Sequence, residues 1–208
     1  NKTTTYKRDG GQIFVSKKHE EEFIRVLSDN VDTLDSFNDP FAREIVKSID
    51  ENQKLNFPIS NHELYFCRSV RDPLRMLKYL TFRYKFYLAS TEKRVFDVPP
   101  YLLIEPVSAC NLRCPMCFQV DKTFTTKEYM GLMDIDLFRN CIDQAVDGGT
   151  QALTLGSRGE PTLHPKISEM LDYMSGKFIE LKVITNATKL NERLSHDILK
   201  SKVDILVF

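Results

Sequence analysis

Three of the five cysteines stand in one short stretch, Cys110-Asn-Leu-Arg-Cys114-Pro-Met-Cys117, with three residues and then two between them. Thiolates are soft ligands that select zinc, copper(I) or iron–sulfur clusters. A structural zinc takes four ligands, often two separated Cys-x-x-Cys pairs or a Cys/His set, and the sequence holds no second pair. Three sulfurs on a short loop suit three corners of an iron–sulfur cube. They leave the fourth iron of a [4Fe-4S] cluster open, free to take the amino and carboxylate groups of a small molecule, much as a catalytic zinc keeps an open position. The alternative is a non-catalytic zinc- or cluster-binding module in which Cys141 or His164 completes the ligand set. Cys141 falls beside Phe138 and Ile142 on the inward face of a predicted helix, which favours a small core residue. His164 stands just before Pro165, at a helix start. Cys67, beside Phe66, reads as buried.

Two further strings carry groups that recognise small molecules. Gly156-Ser-Arg-Gly159-Glu160-Pro161 offers glycines, which allow close backbone approach, and a carboxylate suited to an ammonium. Thr185-Asn186-Ala187 offers a carboxamide. Taken alone, the first is a turn leading into a helix and the second an Asn that turns the chain.

The elements that must position these groups show two rhythms. Residues 1–98 read as mainly helical, with a short strand at Gln12–Val15. Helix starts are marked by Asp39-Pro40, by the capping box Ser60-Asn-His-Glu63 and by Asp72-Pro73. Leu74, Leu77, Leu80 and Tyr84 lie along one face of the last of these helices. Arg75, Lys78, Arg83 and Lys85 interleave with aromatics there, as solvated charges on a core helix. Val98-Pro99-Pro100 then breaks the helical pattern and marks a domain boundary.

From residue 99 strands and helices alternate. Strands are predicted at Tyr101–Glu105, Gln151–Leu155, Ile179–Thr185 and Val203–Phe208. Helices are predicted from Asp134 to about Val146, from Pro165, and from Leu190 to Leu199. Repeating βα units imply parallel strands with right-handed crossovers, as a doubly wound sheet or a barrel. In both, ligands bind beyond the carboxyl ends of the strands. The cysteines, the glycine-rich string and Asn186 each follow a strand, so topology places them on one rim.

The cysteine spacing, its place after the first of these strands and the string Cys-Asn-Leu-Arg-Cys-Pro-Met-Cys resemble the radical S-adenosylmethionine (radical SAM) superfamily. The stretch through Phe118 is most similar to members with a C-terminal auxiliary-cluster (SPASM-like) extension. The resemblance covers residues 99–208 and implies an α/β fold, a truncated TIM-type (β/α) barrel of roughly three and a half units. It implies an enzyme whose [4Fe-4S] cluster, held by Cys110, Cys114 and Cys117, cleaves S-adenosylmethionine reductively. The resulting 5′-deoxyadenosyl radical takes hydrogen from a substrate that the sequence does not identify. An external flavodoxin- or ferredoxin-like donor supplies the electron. By the same resemblance Gly156, Gly159 and Glu160 bind the cofactor's amino group, Asn186 its carboxylate or ribose, and Met116 and Phe118 border the adenine. Two positions depart from the family pattern. Arg158 stands where a glycine is usual, and Ala187 replaces a glycine, making a left-handed backbone there less comfortable.

Composition narrows the partners. Lys+Arg and Asp+Glu both number 29, so there is no electrostatic footprint for nucleic acid or an anionic membrane. No apolar run approaches membrane-spanning length. An odd cysteine count with three clustered fits a reducing cytoplasm better than a disulfide framework. A start at Asn1 and an end inside the apolar run Val203–Phe208 read as a fragment.

Overall fold

The computed structural model describes residues 8–9, 12–13, 17–30, 38–52, 54–70, 72–123 and 125–208. The chain divides into two compact units, Asn1–Arg94 and Val95–Phe208. The division falls a few residues ahead of the boundary read at residues 98–99. Val98 packs on the second unit, where its methyl groups lie against Gly148.

The first unit holds a small antiparallel pair, β1 (Arg8–Asp9) and β2 (Gln12–Ile13), and helices α1 (Lys17–Ser28), α2 (Pro40–Asn52), α3 (Asn61–Ser69) and α4 (Pro73–Thr91). Val15, the last residue of the predicted first strand, lies outside the described residues. The start signals act as their chemistry demands. Asp39 Oδ1 accepts from Phe41 N and Asp72 Oδ1 from Leu74 N. Glu63 closes the capping box by accepting from Ser60 N at 2.7 Å. Phe23, Ile24 and Leu27 of α1, and Ile45 and Ile49 of α2, are buried. The buried face of α4 is wider than the predicted stripe and includes Met76, Tyr79, Phe82 and Leu88. Two of its charges are paired rather than solvated. Lys85 Nζ lies 2.7 Å from Asp39 Oδ2 with both side chains 17% exposed, and Arg83 pairs with Glu63.

The second unit is a four-stranded parallel sheet in the order β3 (Tyr101–Ile104), β4 (Ala152–Leu155), β5 (Glu180–Ile184), β6 (Ile205–Val207). Helices α5 (Ile135–Asp147), α6 (Ile167–Met174) and α7 (Glu192–Lys200) form the crossovers. Spatial order equals chain order, so no switch point of the doubly wound kind occurs. All three helices share one core with one face of the sheet. Phe138 and Ile142 of α5, Met170 and Leu171 of α6, and Leu194 and Ile198 of α7 meet Ile104, Leu153, Leu155, Leu181 and Val183 there. Side chains alternate along a strand, so Leu103, Thr154 and Lys182, in register across β3, β4 and β5, occupy the other face. Helices on one face only is the arrangement of a partial α/β barrel.

Among the described residues, no helix is long and apolar enough to cross a membrane.

Candidate functional site

The cysteines lie on the long connection between β3 and α5. Its neck is closed by an antiparallel bridge between Val107 and Leu132, with Met133 N donating to Pro106 O at 2.8 Å and Ser108 N to Gly131 O at 3.1 Å. At its far end Asp134 caps α5, accepting from Asp136 N and Leu137 N. The N–H of Leu137 and that of Asp136 hold its carboxyl below the ordinary value. Between these anchors the loop projects beyond the carboxyl end of the sheet.

Within the loop Cys117 N donates to Cys114 O at 2.9 Å and Leu112 N to Cys110 Sγ at 3.4 Å. Cys114 is exposed, and Cys110 and Cys117 are half-buried; all three are free thiols. Arg113 folds back so that its guanidinium donates to Cys110 O and Leu112 O. Met116 is 88% exposed and Phe118 42%, so neither fills a core gap.

The glycine-rich segment following β4 packs directly on this loop. Glu160 N donates to Ala109 O at 2.9 Å. A Cβ at Gly159 would lie 1.6 Å from Val107 O, so only glycine allows the approach. At Gly156 a Cβ would crowd Ile184 at 3.0 Å. Arg158, where the family pattern has glycine, turns back onto Glu105 at the exit of β3. Its Nη2 lies 2.8 Å from Glu105 Oε1, its Nε 3.1 Å from both oxygens, and its backbone N 2.7 Å from Oε2.

Glu160 is 3% exposed. Its Oε1 accepts from Thr162 N, Thr162 Oγ1 and Thr185 Oγ1, and its Oε2 from Asn186 N. The carboxylate thereby joins the loops after β4 and β5. Asn186 completes the link to the cysteines. Its Nδ2 lies 2.9 Å from Asn111 Oδ1 and 3.6 Å from Cys110 Sγ, and its Oδ1 accepts from Thr188 N and Oγ1. Asn111 Nδ2 donates in turn to Thr188 Oγ1 at 2.7 Å. Ala187, between them, has φ +62°, so the left-handed backbone that the family's glycine would ease is carried by an alanine.

Three loops from consecutive strands thus meet at one rim, with Cys110, Glu160 and Asn186 joined by hydrogen bonds. The sequence reading missed Glu105, Gln119 and Thr188. A charge at the end of an apolar strand was the available signal for Glu105; nothing marked the other two.

The residues suggested as a fourth zinc ligand are engaged elsewhere. His164 Nδ1 accepts from Lys166 N at 3.1 Å, which fixes the proton on Nε2, and Nε2 meets Met133 O at 2.9 Å. Cys141 packs against the core of sheet and helices and lines an open cavity with Leu102, Ile104 and Ala145. Among the described residues, no group of three His, Cys, Asp or Glu side chains is gathered tightly enough to hold one ion. A tetrahedral zinc needs its sulfurs within about 2.3 Å of one centre. A cubane takes each sulfur on a different iron, and three cysteines on one short loop can supply three of its corners.

Residues 104–208 match the radical SAM superfamily. Two curated relatives align with about half of the chain. The tungsten-containing aldehyde ferredoxin oxidoreductase cofactor-modifying protein of Pyrococcus furiosus is 33% identical over 109 residues, 52% of this chain and 30% of that protein. The antilisterial bacteriocin subtilosin biosynthesis protein AlbA of Bacillus subtilis is 30% identical over 114 residues, 55% of this chain and 24% of AlbA. The match therefore spans less than a third of either relative. Among solved structures, Streptococcus suis SuiB bound to S-adenosylmethionine aligns with 93% of this chain and 40% of its own, at 22% identity and TM-score 0.45. BtrN in complex with AdoMet and 2-DOIA aligns with 55% of this chain and 46% of its own, at 18% identity and TM-score 0.46. By the match over residues 104–208, on which all three rim loops lie, the chain belongs to the radical SAM superfamily.

Proposed function

We propose that the second unit holds a [4Fe-4S] cluster on Cys110, Cys114 and Cys117 and binds S-adenosylmethionine beside it, as the core of a radical SAM enzyme. The observation that carries this reading is the hydrogen-bonded convergence of the three rim loops, with Asn186 Nδ2 3.6 Å from Cys110 Sγ. When bound, cluster and cofactor supply reductive cleavage of a carbon–sulfur bond and the 5′-deoxyadenosyl radical that takes hydrogen from substrate; the cofactor carries the hard chemistry and the protein positions it.

This chain's residues divide the positioning between them. Asn186 orients the Cys110 sulfur, and its N–H tunes the charge there. Glu160, with its carboxylate engaged by four donors, holds the Asn186 loop in place, and with the backbone of the Gly159 turn it would take the cofactor's ammonium. Gly156 and Gly159 keep that backbone free of side chains. Met116 and Phe118 stand out from the loop as apolar faces for the adenine, Met116 through its polarizable sulfur. The electron comes from an external flavodoxin- or ferredoxin-like donor.

Anaerobic reconstitution with iron and sulfide tests the reading. The expected product is a brown chain with about four irons and four sulfides. Given reductant and S-adenosylmethionine, the full-length protein should release 5′-deoxyadenosine. Alanine at any one of the three cysteines should abolish both. A colourless wild-type chain carrying one zinc would refute the proposal.

A further inference from the structure

We infer that Gln119 is a positioning residue for the cysteine loop, its carboxamide fastening both ends of that loop to each other and to the glycine-rich segment. Gln119 lies in a short 3-10 turn, Phe118–Val120, directly after Cys117 and is 3% exposed. Its Nε2 donates to Ser108 O and to Arg158 O, each at 2.7 Å. A primary carboxamide nitrogen has two hydrogens, so both are used. Ser108 precedes Cys110, Gln119 follows Cys117, and Arg158 belongs to the loop after β4. Three backbone segments therefore meet at one nitrogen, and all three cysteines lie between the first two.

The same neighbourhood shows why this side chain matters more than those beside it. Ser108 and Ala109 are held from elsewhere, through Ser108 N to Gly131 O and Glu160 N to Ala109 O. The segment after Cys117 is different. Its backbone bonds, Val120 N to Cys117 O and Asp121 N to Phe118 O, are local turns. Among the described residues, no backbone hydrogen bond from residues 117–121 reaches the loop after β4. Val120 has no side-chain donor and is 50% exposed. Gln119 Oε1 is buried and has no partner among the described residues, so the carboxamide acts through its donor side. Losing Nε2 would leave two part-buried carbonyls unmatched and free the end of the loop that carries Cys117.

The inference deepens the proposed function and rests on it only for what the loop holds; the clamp itself is tested without iron. Gln119→Met keeps the side-chain length and removes the donor, and Gln119→Glu keeps the shape with acceptors only. In the metal-free chain, iodoacetamide labelling followed residue by residue by mass spectrometry should be roughly tenfold faster at Cys117 in either variant, the fold-change expected when a buried hydrogen-bond donor is lost and a local segment opens more often. Labelling of Cys67 and Cys141 should stay at the wild-type rate, which separates a local clamp from general loss of structure. After reconstitution, the variants should lose iron to a chelator faster than wild type.

Unchanged labelling at Cys117, with equal iron retention, overturns the clamp and leaves the cluster assignment standing. Faster labelling in a chain that never takes up iron keeps the clamp and removes the cluster. Should both variants fail to fold, side-chain NMR of the wild type decides the question. The Gln119 carboxamide protons should exchange with solvent at least about tenfold more slowly than those of the exposed Gln144; equal rates overturn the inference.

Discussion

The carboxylate of Glu160 and the hydroxyl of Thr185 meet at 2.6 Å across the gap between the loops that leave β4 and β5. With Thr162 N, Thr162 Oγ1 and Asn186 N, four donors converge on this one buried carboxylate. An amide cannot accept from all of them, because its nitrogen brings hydrogens of its own. Glu160→Gln is therefore expected to cost about 1–3 kcal/mol of stability. It should also shift Asn186 away from Cys110 and lower S-adenosylmethionine cleavage by roughly a hundredfold, the scale of a displacement near 1 Å. Thr185→Val removes one donor and should cost only about 1 kcal/mol. Urea denaturation of the two variants beside wild type gives the comparison, and a Glu160→Gln midpoint equal to that of wild type would show that the convergence is not energetically important.

Gly159 makes a second prediction on steric grounds. A methyl group there would overlap Val107 O, at 1.6 Å, with Val107 C at 2.5 Å and Ala109 O at 2.8 Å. These are backbone atoms and cannot rotate away. Gly159→Ala should reach or exceed the upper end of the roughly 1–3 kcal/mol cost of overpacking and separate the glycine-rich segment from the cysteine loop. Gly131→Ala is the control, since nothing lies within 4 Å of its Cβ position. That change should stay within about 0.5 kcal/mol of wild type. Melting curves of the two variants decide it.

These two sites show what was legible in the sequence. Strand and helix order, the helix caps at Asp39, Ser60, Asp72 and Asp134, and the placing of Cys110, Glu160 and Asn186 on one rim follow from periodicity and from the rule that parallel strands put their outgoing loops at one end. What each rim group touches did not follow. A glutamate after a glycine turn reads as a ligand; that Glu160 also accepts from Thr185 and Asn186, on a loop far along the chain, had no signal. Gln119 had no signal because its two acceptors are backbone carbonyls, which every residue supplies. The choice between doubly wound sheet and barrel needed the helices' packing, since all three share a single face of the sheet.

Ala187 is expected to be improved by mutation. Asn186 Oδ1 accepts from Thr188 N at 3.0 Å, a local Asx turn, and this turn holds Ala187 at φ +62°. A residue with a Cβ pays roughly 1–2 kcal/mol for that conformation, while glycine loses about 0.5–1 kcal/mol in extra unfolded-state freedom. Ala187→Gly should thus leave stability unchanged or raise it by up to about 1 kcal/mol, with the Asn186–Cys110 contact intact. A loss of more than about 1 kcal/mol in denaturant titration would show that the alanine methyl makes contacts worth more than the relief of strain.

Cys67 should differ from the exposed Cys114 in reactivity and should make stability fall at alkaline pH. Burial, and then the negative charge of Glu63, push the Cys67 thiol up to about 12. It therefore remains a neutral thiol at pH 8, when the exposed Cys114 is open to reagent. Iodoacetamide should modify Cys114 in the native metal-free chain and reach Cys67 only on unfolding. The sign of the pH effect follows from linkage. Because the folded value lies above the reference value of 9.0, the unfolded chain loses its thiol proton first as pH rises. The contribution to stability is whole below about pH 9 and is lost progressively towards about pH 12. Tyr84 acts in the same sense over a narrower window, since burial and its hydrogen bond to Glu44 raise it from 10.0 to about 12. Denaturant midpoints between pH 8 and 11 should fall with pH, and Cys67→Ala, although less stable throughout, should show the shallower fall. Parallel slopes for the two chains would place the alkaline sensitivity elsewhere.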